Sequence, residues 1–417
     1  MRCLLFFLYI FFGGHLFAQS VYPKKIKISN YLFGQNAWER SGIFKVQEFV
    51  KDVQYQTIRI GGNGYENAGF INKEAIKLID YVRSVGAEPI LQMPRQFKNN
   101  DLAFKAITYI NGENKKGVKF WSIGNEPDHK NQFAKPEEVY DYFTKISEQI
   151  KRYDANVKII GFDAASFTPD YHNRLLGGDL DLTGKISGKD YYYLDVVSFH
   201  HYKFKDISRF ETDVKDLKQK LYVLNKNRAK KHHLTWAITE FNSHWLVDKK
   251  LEEDYQPYTF YNGQMFAELY DLGMREQAFT ICPWSILEGG ADREGTDLSM
   301  FDFLNNQYLK RSNYYHTWLL SRYKRAYYLP HQESQKEIVV IPMGDKEGMT
   351  VMLLNKSKQK AFEYHLQFNR KKTNKHVSIN IAAGLAKNYQ SAISPQTTHM
   401  LVFDKRGNLL KNSVTLL

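Results

Sequence analysis

Cysteine is nearly absent: Cys3 and Cys282 are the only two in 417 residues. Cys3 falls inside Met1 to Ser20, a stretch that reads as a secretory leader, with a lone Arg2, an apolar run from Leu4 to Phe12 and the small residue Ala18 near its end. Once that leader is removed one thiol remains, so an intramolecular disulfide is excluded and stability must come from core burial. Cys3 precedes the apolar run, which argues against a lipoprotein attachment site. The run is shorter than the roughly twenty residues that cross a bilayer, and Gly13, Gly14 and His15 interrupt it. No later stretch reads as a membrane span, so a soluble secreted or periplasmic protein is expected. Zinc-type Cys/His spacing, a glycine-rich nucleotide loop and an arginine-rich tract are all missing. No metal, no cofactor and no nucleic-acid partner is therefore expected.

What is present is enough apolar sequence for a full core, 43% of the chain, and a formal net charge of +13. That balance suits either an acidic partner such as an anionic polysaccharide or simply a lysine-rich solvated surface. From Ile26 to about Lys324, short β-rich runs alternate with amphipathic stretches, the pattern of parallel strands joined by crossover helices. Eight strands are expected: Ile26 to Gln35, Thr57 to Gly61, Glu88 to Met93, Phe120 to Gly124, Lys158 to Asp163, Asp195 to Tyr202, Leu234 to Glu240 and Ala278 to Ser285. Eight is the number of a (β/α)8 TIM barrel. The helices carry their own punctuation. Asn72 caps one that Gly86 ends, Pro136 with Glu137 and Glu138 opens a second, and Pro257 and Gly273 bracket a third. Residues 21–324 are thus assigned to the barrel. Residues 325–417 change to short β segments, including Glu337 to Ile341, Thr350 to Leu354, Val377 to Ile381 and His399 to Phe403, and are assigned to a small all-β sandwich. Lys346-Glu347-Gly348 and Lys405-Arg406-Gly407-Asn408 read as its hairpin turns.

A barrel of this kind places its chemistry at the carboxyl ends of the strands. Glu126 closes the fourth strand within Trp121-Ser122-Ile123-Gly124-Asn125-Glu126-Pro127, and Glu240 closes the seventh within Trp236-Ala237-Ile238-Thr239-Glu240-Phe241-Asn242. Barrel closure brings these strands to facing sides of one cavity, where carboxyl groups about 5 to 5.5 Å apart can perform double displacement on an acetal. His200 and Tyr202 on strand six are two apart and share a face, so both can point inward, with the tyrosine hydroxyl within reach of Glu240. The other reading of His200 is a packed core histidine.

Asn-Glu-Pro at the end of strand four, with a glutamate ending strand seven, resembles the signature of glycoside hydrolase clan A, and the resemblance covers the whole barrel. It implies that Glu126 is the acid/base, Glu240 the nucleophile and Asn125 a ligand of the sugar 2-hydroxyl. His200 and Tyr202 resemble a His-x-Tyr pair frequent in the clan, and Arg59 resembles the clan arginine that keeps the nucleophile ionised. Trp284 lies where the clan commonly places an aromatic sugar platform. Arg59-Ile60-Gly61-Gly62 departs from the Pro-Gly-Gly of some members. The texture resembles members with a C-terminal β-sandwich, without deciding a family.

The implied activity is hydrolysis of β (equatorial) glycosidic bonds with retention, on a polysaccharide or oligosaccharide. The strand-end loops carry Arg95, Lys98, His129, Lys130, His172, Arg174, Lys203, Lys205, His244 and Arg293, which suggest a sulfated or uronate-bearing glycan. Glu66, Asp128, Asp170, Glu288, Asp292 and Glu294 share those loops and make the field mixed. The alternative reading is a non-catalytic glycan-binding protein on the same barrel.

Overall fold

The computed structural model describes residues 24–38, 42–68, 71–202, 205–245, 256–288, 298–332, 336–368, 377–381, 383 and 385–415. The expected leader, Lys203, Asp292, Arg293 and Glu294 lie outside the described residues. A two-residue strand, β1 (Ile26–Lys27), precedes six parallel strands: β2 (Thr57–Ile60), β3 (Glu88–Met93), β4 (Phe120–Ile123), β5 (Lys158–Ala164), β6 (Val196–His201) and β7 (Thr235–Phe241). These six pair in chain order. β2 and β4 are buried along their whole length, as expected of a parallel sheet covered on both faces. Around them run α1 (Gln47–Val53), α2 (Asn63–Ala68), α3 (Lys73–Ser84), α4 (Leu102–Ile107), α5 (Pro136–Tyr153), α6 (Pro169–Leu175), α7 (Ser208–Asn225), α8 (Phe260–Arg275) and α9 (Ser312–Arg322). The expected cap of α3 is present, with the Asn72 side chain accepting from the Glu74 N–H at 2.7 Å. The fold is a parallel (β/α) barrel followed by antiparallel β sheets.

The expected first and eighth strands need correcting. Neither forms a ladder within the barrel, and the ring is closed by single parallel bridges of Phe33 to Ile281, Asn36 to Arg59 and Ile238 to Ile281. Backbone bonds from Gly34 N to Ile281 O (3.1 Å), Arg59 N to Gln35 O (2.8 Å) and Cys282 N to Ile238 O (2.8 Å) hold the closure. The run Ile26 to Gln35 is divided because the chain turns at Ser29 to Leu32, where Leu32 N donates to Ser29 O. β1 is thereby released to pair with β10 (Tyr327–Tyr328) of the C-terminal sheet. On the other side, the Asn36 amide donates to the carbonyls of Thr239, Cys282 and Pro283 at 2.9 to 3.1 Å, tying the closing segments together through a side chain.

Gly273 also differs from expectation. It does not end α8, which continues to Arg275. A Cβ there would stand 2.6 Å from Ile281 Cγ1 and 2.9 Å from Leu32 Cδ1, so glycine is what lets the helix lie against the barrel closure. Gly273→Ala should cost about 1–3 kcal/mol through overpacking. Urea unfolding at constant m-value checks this, and an unchanged midpoint would show that the seam relaxes freely.

A hairpin, β8 (Phe301–Leu304) and β9 (Gln307–Lys310), precedes α9. Beyond it come β10, β11 (His331–Gln332), β12 (Ile338–Asp345), β13 (Gly348–Asn355), β14 (Phe362–Gln367), β15 (Val377–Ile381), β16 (Tyr389–Ile393), β17 (Thr397–Asp404) and β18 (Leu409–Thr415). They form a six-stranded sheet, β1-β10-β12-β13-β17-β18, and a four-stranded one, β11-β15-β14-β16. Val340, Val351, Leu353 and Leu401 share one core with Tyr364, Leu366 and Ile379 of the smaller sheet. Met343, Met352, Leu354 and Met400 instead belong to the main core that includes the barrel. This double contact explains why α8 is buried from Asn262 to Met274.

Candidate active site

The carboxyl end of the barrel gathers the two glutamates. After β4 the backbone turns through Gly124 at φ +75° and Glu126 at φ +41°. A side-chain-bearing residue seldom adopts the latter. It is fixed by the Glu126 N–H donating to the Asp163 carbonyl (2.8 Å) and the Glu126 carbonyl accepting from His129 N–H (3.0 Å). Glu240 lies near the end of β7, beside His200 of β6 in the sheet register. Glu126, His200 and Glu240 each present one ligand atom within 4.8 Å of the others. Both carboxylates are nearly buried, at 7% exposure.

Each carboxylate has its own partners. Glu240 accepts from Tyr202 Oη at 2.6 Å and from Arg59 Nη1 at 3.1 Å. Glu126 contacts His200 Nδ1 at 3.2 Å and accepts from Asn63 Nδ2 at 3.3 Å. Arg59, fully buried, is a hub: it also donates to Asn36 Oδ1 (3.1 Å), Asn125 Oδ1 (2.5 Å) and Asp163 Oδ2 (3.0 Å). Asp163 is held in turn by the hydroxyls of Ser198 and Thr239, at 2.5 and 2.6 Å.

Burial pushes the Asp163 carboxyl up, but Arg59 and His200 outweigh it and hold the group below the usual aspartate range. Burial likewise dominates at Glu240 and raises it; the neighbouring Glu126 charge adds to this, while His200, Arg59 and Tyr202 offset part. At Glu126 burial also acts upward, yet the His200 hydrogen bond and charge, with Asn63 and His129, prevail and lower the group. His200 is raised: burial opposes its charge, but Glu240 and the Glu126 contact more than compensate.

A proton can sit on His200 or on Glu126 across their contact. The three groups are close enough to titrate as one unit. Shifting that proton across the 3.2 Å contact gives neutral His200 and protonated Glu126, without changing the proton count. Arg59 and Tyr202 remain on Glu240, so the shift leaves an acid facing an ionised carboxylate. A proton with two sites is held more tightly than a proton with one. In His200→Asn the alkaline limb of the kcat/KM profile should therefore move to lower pH. A limb that stays in place or moves up would show that His200 does not share the proton.

Among the sequence-predicted residues, Glu126, Glu240, Asn125, Arg59, His200 and Tyr202 form one connected network. Trp284 stands at the same end, 6% exposed, its ring 5.3 Å from that of Trp38. Gly62, at φ +115°, passes over it, and a Cβ there would lie 2.8 Å from Trp284 Cη2. The indole therefore has most of its surface already covered. Several loop cations are committed elsewhere: Arg95 to Glu66 (3.1 Å), Lys98 to Asp141 (2.7 Å), and Arg174 to Glu137 (2.8 Å) and Asp179 (2.6 Å). His172 is not a loop cation. It is buried between Phe162 and Phe167, and burial pushes it down to about 4. Sequence reasoning missed Asn36, Asn63 and Asp163. All three sit at strand ends or just beyond, where the rule that found the glutamates would have reached them.

No protein-family model and no curated protein matches the sequence. Solved structures do match its fold. The GH51 α-L-arabinofuranosidase of Thermotoga petrophila RKU-1 is similar at TM-score 0.65 and 16% identity, over 90% of this chain and 97% of that one. A GH44 xyloglucanase of Paenibacillus polymyxa gives TM-score 0.59 and 12% identity, over 91% and 97%. A bacterial orthologue of human α-L-iduronidase gives 0.60 and 10%, over 82% and 65%. The chain thus has the fold of clan A glycoside hydrolases, a TIM barrel with a C-terminal β domain. At these identities the likeness stops at the fold and selects no family within the clan.

Proposed function

We propose that the chain is a secreted or periplasmic glycoside hydrolase that cleaves β (equatorial) bonds of a polysaccharide or its oligosaccharides with retention. The observation that carries this reading is the pair of carboxylates that bring one oxygen each within 4.8 Å of the other. That lies on the retaining side of the two known spacings, about 5 to 5.5 Å and about 6.5 to 9.5 Å. Protonated Glu126 gives its proton to the leaving oxygen as the bond from the anomeric carbon breaks, and a Glu240 oxygen bonds to that carbon. Glu126, now ionised, takes a proton from water. The water oxygen attacks the anomeric carbon and Glu240 leaves as a carboxylate. By the clan resemblance Asn125 binds the sugar 2-hydroxyl and Trp284 supplies an apolar wall for the ring.

The anionic-substrate part of this proposal rests on fewer groups than the sequence suggested, because Arg95, Lys98 and Arg174 are tied to carboxylates. His129 and Lys130, on the loop that carries Glu126, are the best-placed remaining candidates. His129 lies close enough for its charge to act on Glu126.

Product release from neutral, uronic and sulfated glycans by the wild type, Glu126→Gln and Glu240→Gln tests the reading. The expected result is cleavage of one class, lost in both variants. Binding without cleavage, equal in all three proteins, would replace it with a glycan-binding protein. Desulfated or neutral chains cleaved as fast as anionic ones would remove the anionic part alone.

A further inference from the structure

The amide of Asn63, at the start of α2, can meet Glu126 with either of its ends, and the end that faces the carboxyl decides what the contact does. Its nitrogen donates to Glu126 Oε2 at 3.3 Å. Two arginines set that choice from opposite sides, because a guanidinium can only donate. Arg95 Nη2 donates to Gln132 Oε1 (3.2 Å) and Arg95 Nη1 to the Gln132 carbonyl (2.9 Å). The Gln132 side-chain nitrogen is thereby turned to Asn63 Oδ1, at 2.5 Å. Arg59 holds Asn125 Oδ1 in the same way, and Asn125 Nδ2 donates to the same Asn63 oxygen at 2.8 Å. Arg95 is itself fixed by the buried Glu66, which accepts from its backbone N–H (2.8 Å) and its Nε (3.1 Å). Gln132 Nε2 also reaches the Asn125 carbonyl at 3.2 Å, on the peptide that enters Glu126 at its positive φ.

We propose that Gln132, anchored by Arg95 and Glu66, is a positioning residue for the acid/base. It holds Asn63 with an N–H toward Glu126 and braces the backbone that presents the carboxyl, without needing to touch the sugar. An N–H on Glu126 favours the carboxylate, the form that takes a proton from water in the second step. Without Gln132 the Asn63 amide is free to turn, and Glu126 becomes a tighter holder of its proton and a less well aimed one. His200 and Tyr202 from the end of β6, Glu240 from β7 and His129 from the loop after β4 also act on Glu126, and Arg59 of β2 acts on Glu240. All of these keep their identity when Gln132 is replaced. The reaction that this arrangement serves rests on the hydrolase reading above.

Carbon-13 NMR of the full chain, labelled at glutamate Cδ, follows the Glu126 carboxyl as pH is varied, its signal identified by its loss in Glu126→Gln. The midpoint should move to higher pH in Gln132→Met, which keeps the side-chain length and removes the amide. Arg95→Lys keeps the charge beside Glu66 but lacks the fork that grips Gln132, and should move the midpoint the same way. Gln96→Met removes an amide that donates instead to the Glu66 carbonyl (2.8 Å) and should leave it in place. An unmoved midpoint in Gln132→Met or Arg95→Lys, or an equal shift in Gln96→Met, would overturn the positioning role. Kinetics give a second reading, with the glycan that the wild type cleaves and the 2,4-dinitrophenyl glycoside of the sugar released. In Gln132→Met kcat/KM should fall about tenfold or more on the glycan, whose leaving group needs a proton, and stay within about twofold on the dinitrophenyl glycoside. Equal losses on the two substrates would also overturn the role. Absence of cleavage by the wild type would remove the hydrolase reading, while the NMR comparison would still decide whether Gln132 governs Glu126.

Discussion

Glu240→Ala should lower turnover by about four to five orders of magnitude, the scale seen when a covalent nucleophile is removed, while substrate binding changes little. The variant should fold normally, because Arg59 retains Asp163, Asn36 and Asn125 and because one of two crowded carboxylates has gone. Azide then distinguishes the two glutamates. In Glu240→Ala a small anion can enter the vacated space and attack the anomeric carbon directly, giving a glycosyl azide of inverted configuration. In Glu126→Ala the glycosyl ester still forms on Glu240 when the leaving group needs no proton, and azide attacks that ester to give retained configuration. Proton NMR of the products reads both outcomes. Azide products of the same configuration from both variants would contradict the double displacement, and exchanged configurations would reverse the assigned roles.

The folded glutamate pair was legible because barrel periodicity and one short motif act together. Residues 114 apart in sequence become neighbours only through the order of strands, and that order is written in alternating apolar runs. The first and eighth strands were less legible. An apolar run such as Ile26 to Gln35 does not reveal that the chain turns at Ser29, nor that the Asn36 side chain helps to close the ring. The same limit applies to His172 and to the paired arginines. Their charge reads identically in sequence whether they face a cavity, a phenylalanine or a carboxylate. Gly273 shows the converse, since a glycine read as a helix terminus serves instead as the contact point between α8 and Ile281.

Arg59→Met is expected to cost about 3–5 kcal/mol of stability, more than any other single change at the site, because it strands buried charge. The guanidinium is fully buried, 3.0 Å from Asp163 and 3.1 Å from Glu240. Methionine fills much of the volume but takes the guanidinium away from both carboxylates, leaving His200 to act on them alone. If charge is the cause, adding Asp163→Asn to Arg59→Met should recover part of the loss, although Asp163→Asn alone destabilises the wild type. The pH dependence carries the same signature. In the wild type the Asp163 pKa is depressed, chiefly by Arg59 acting against burial. Its stabilisation is present above the unfolded value of about 3.9 and disappears as pH falls through the lower folded value. In Arg59→Met the largest lowering influence on Asp163 is gone while burial still acts upward, so its folded value rises and acidification should cost the variant less than the wild type. The wild-type contribution is still present at pH 4.5, so between pH 7.5 and pH 4.5 the gap narrows through the variant alone. Urea unfolding of the two proteins at pH 7.5 and pH 4.5 measures it. A gap of equal size at both pH values, with no recovery in the double variant, would assign the cost to lost packing of the arginine stem and leave Arg59 no electrostatic part in holding Glu240.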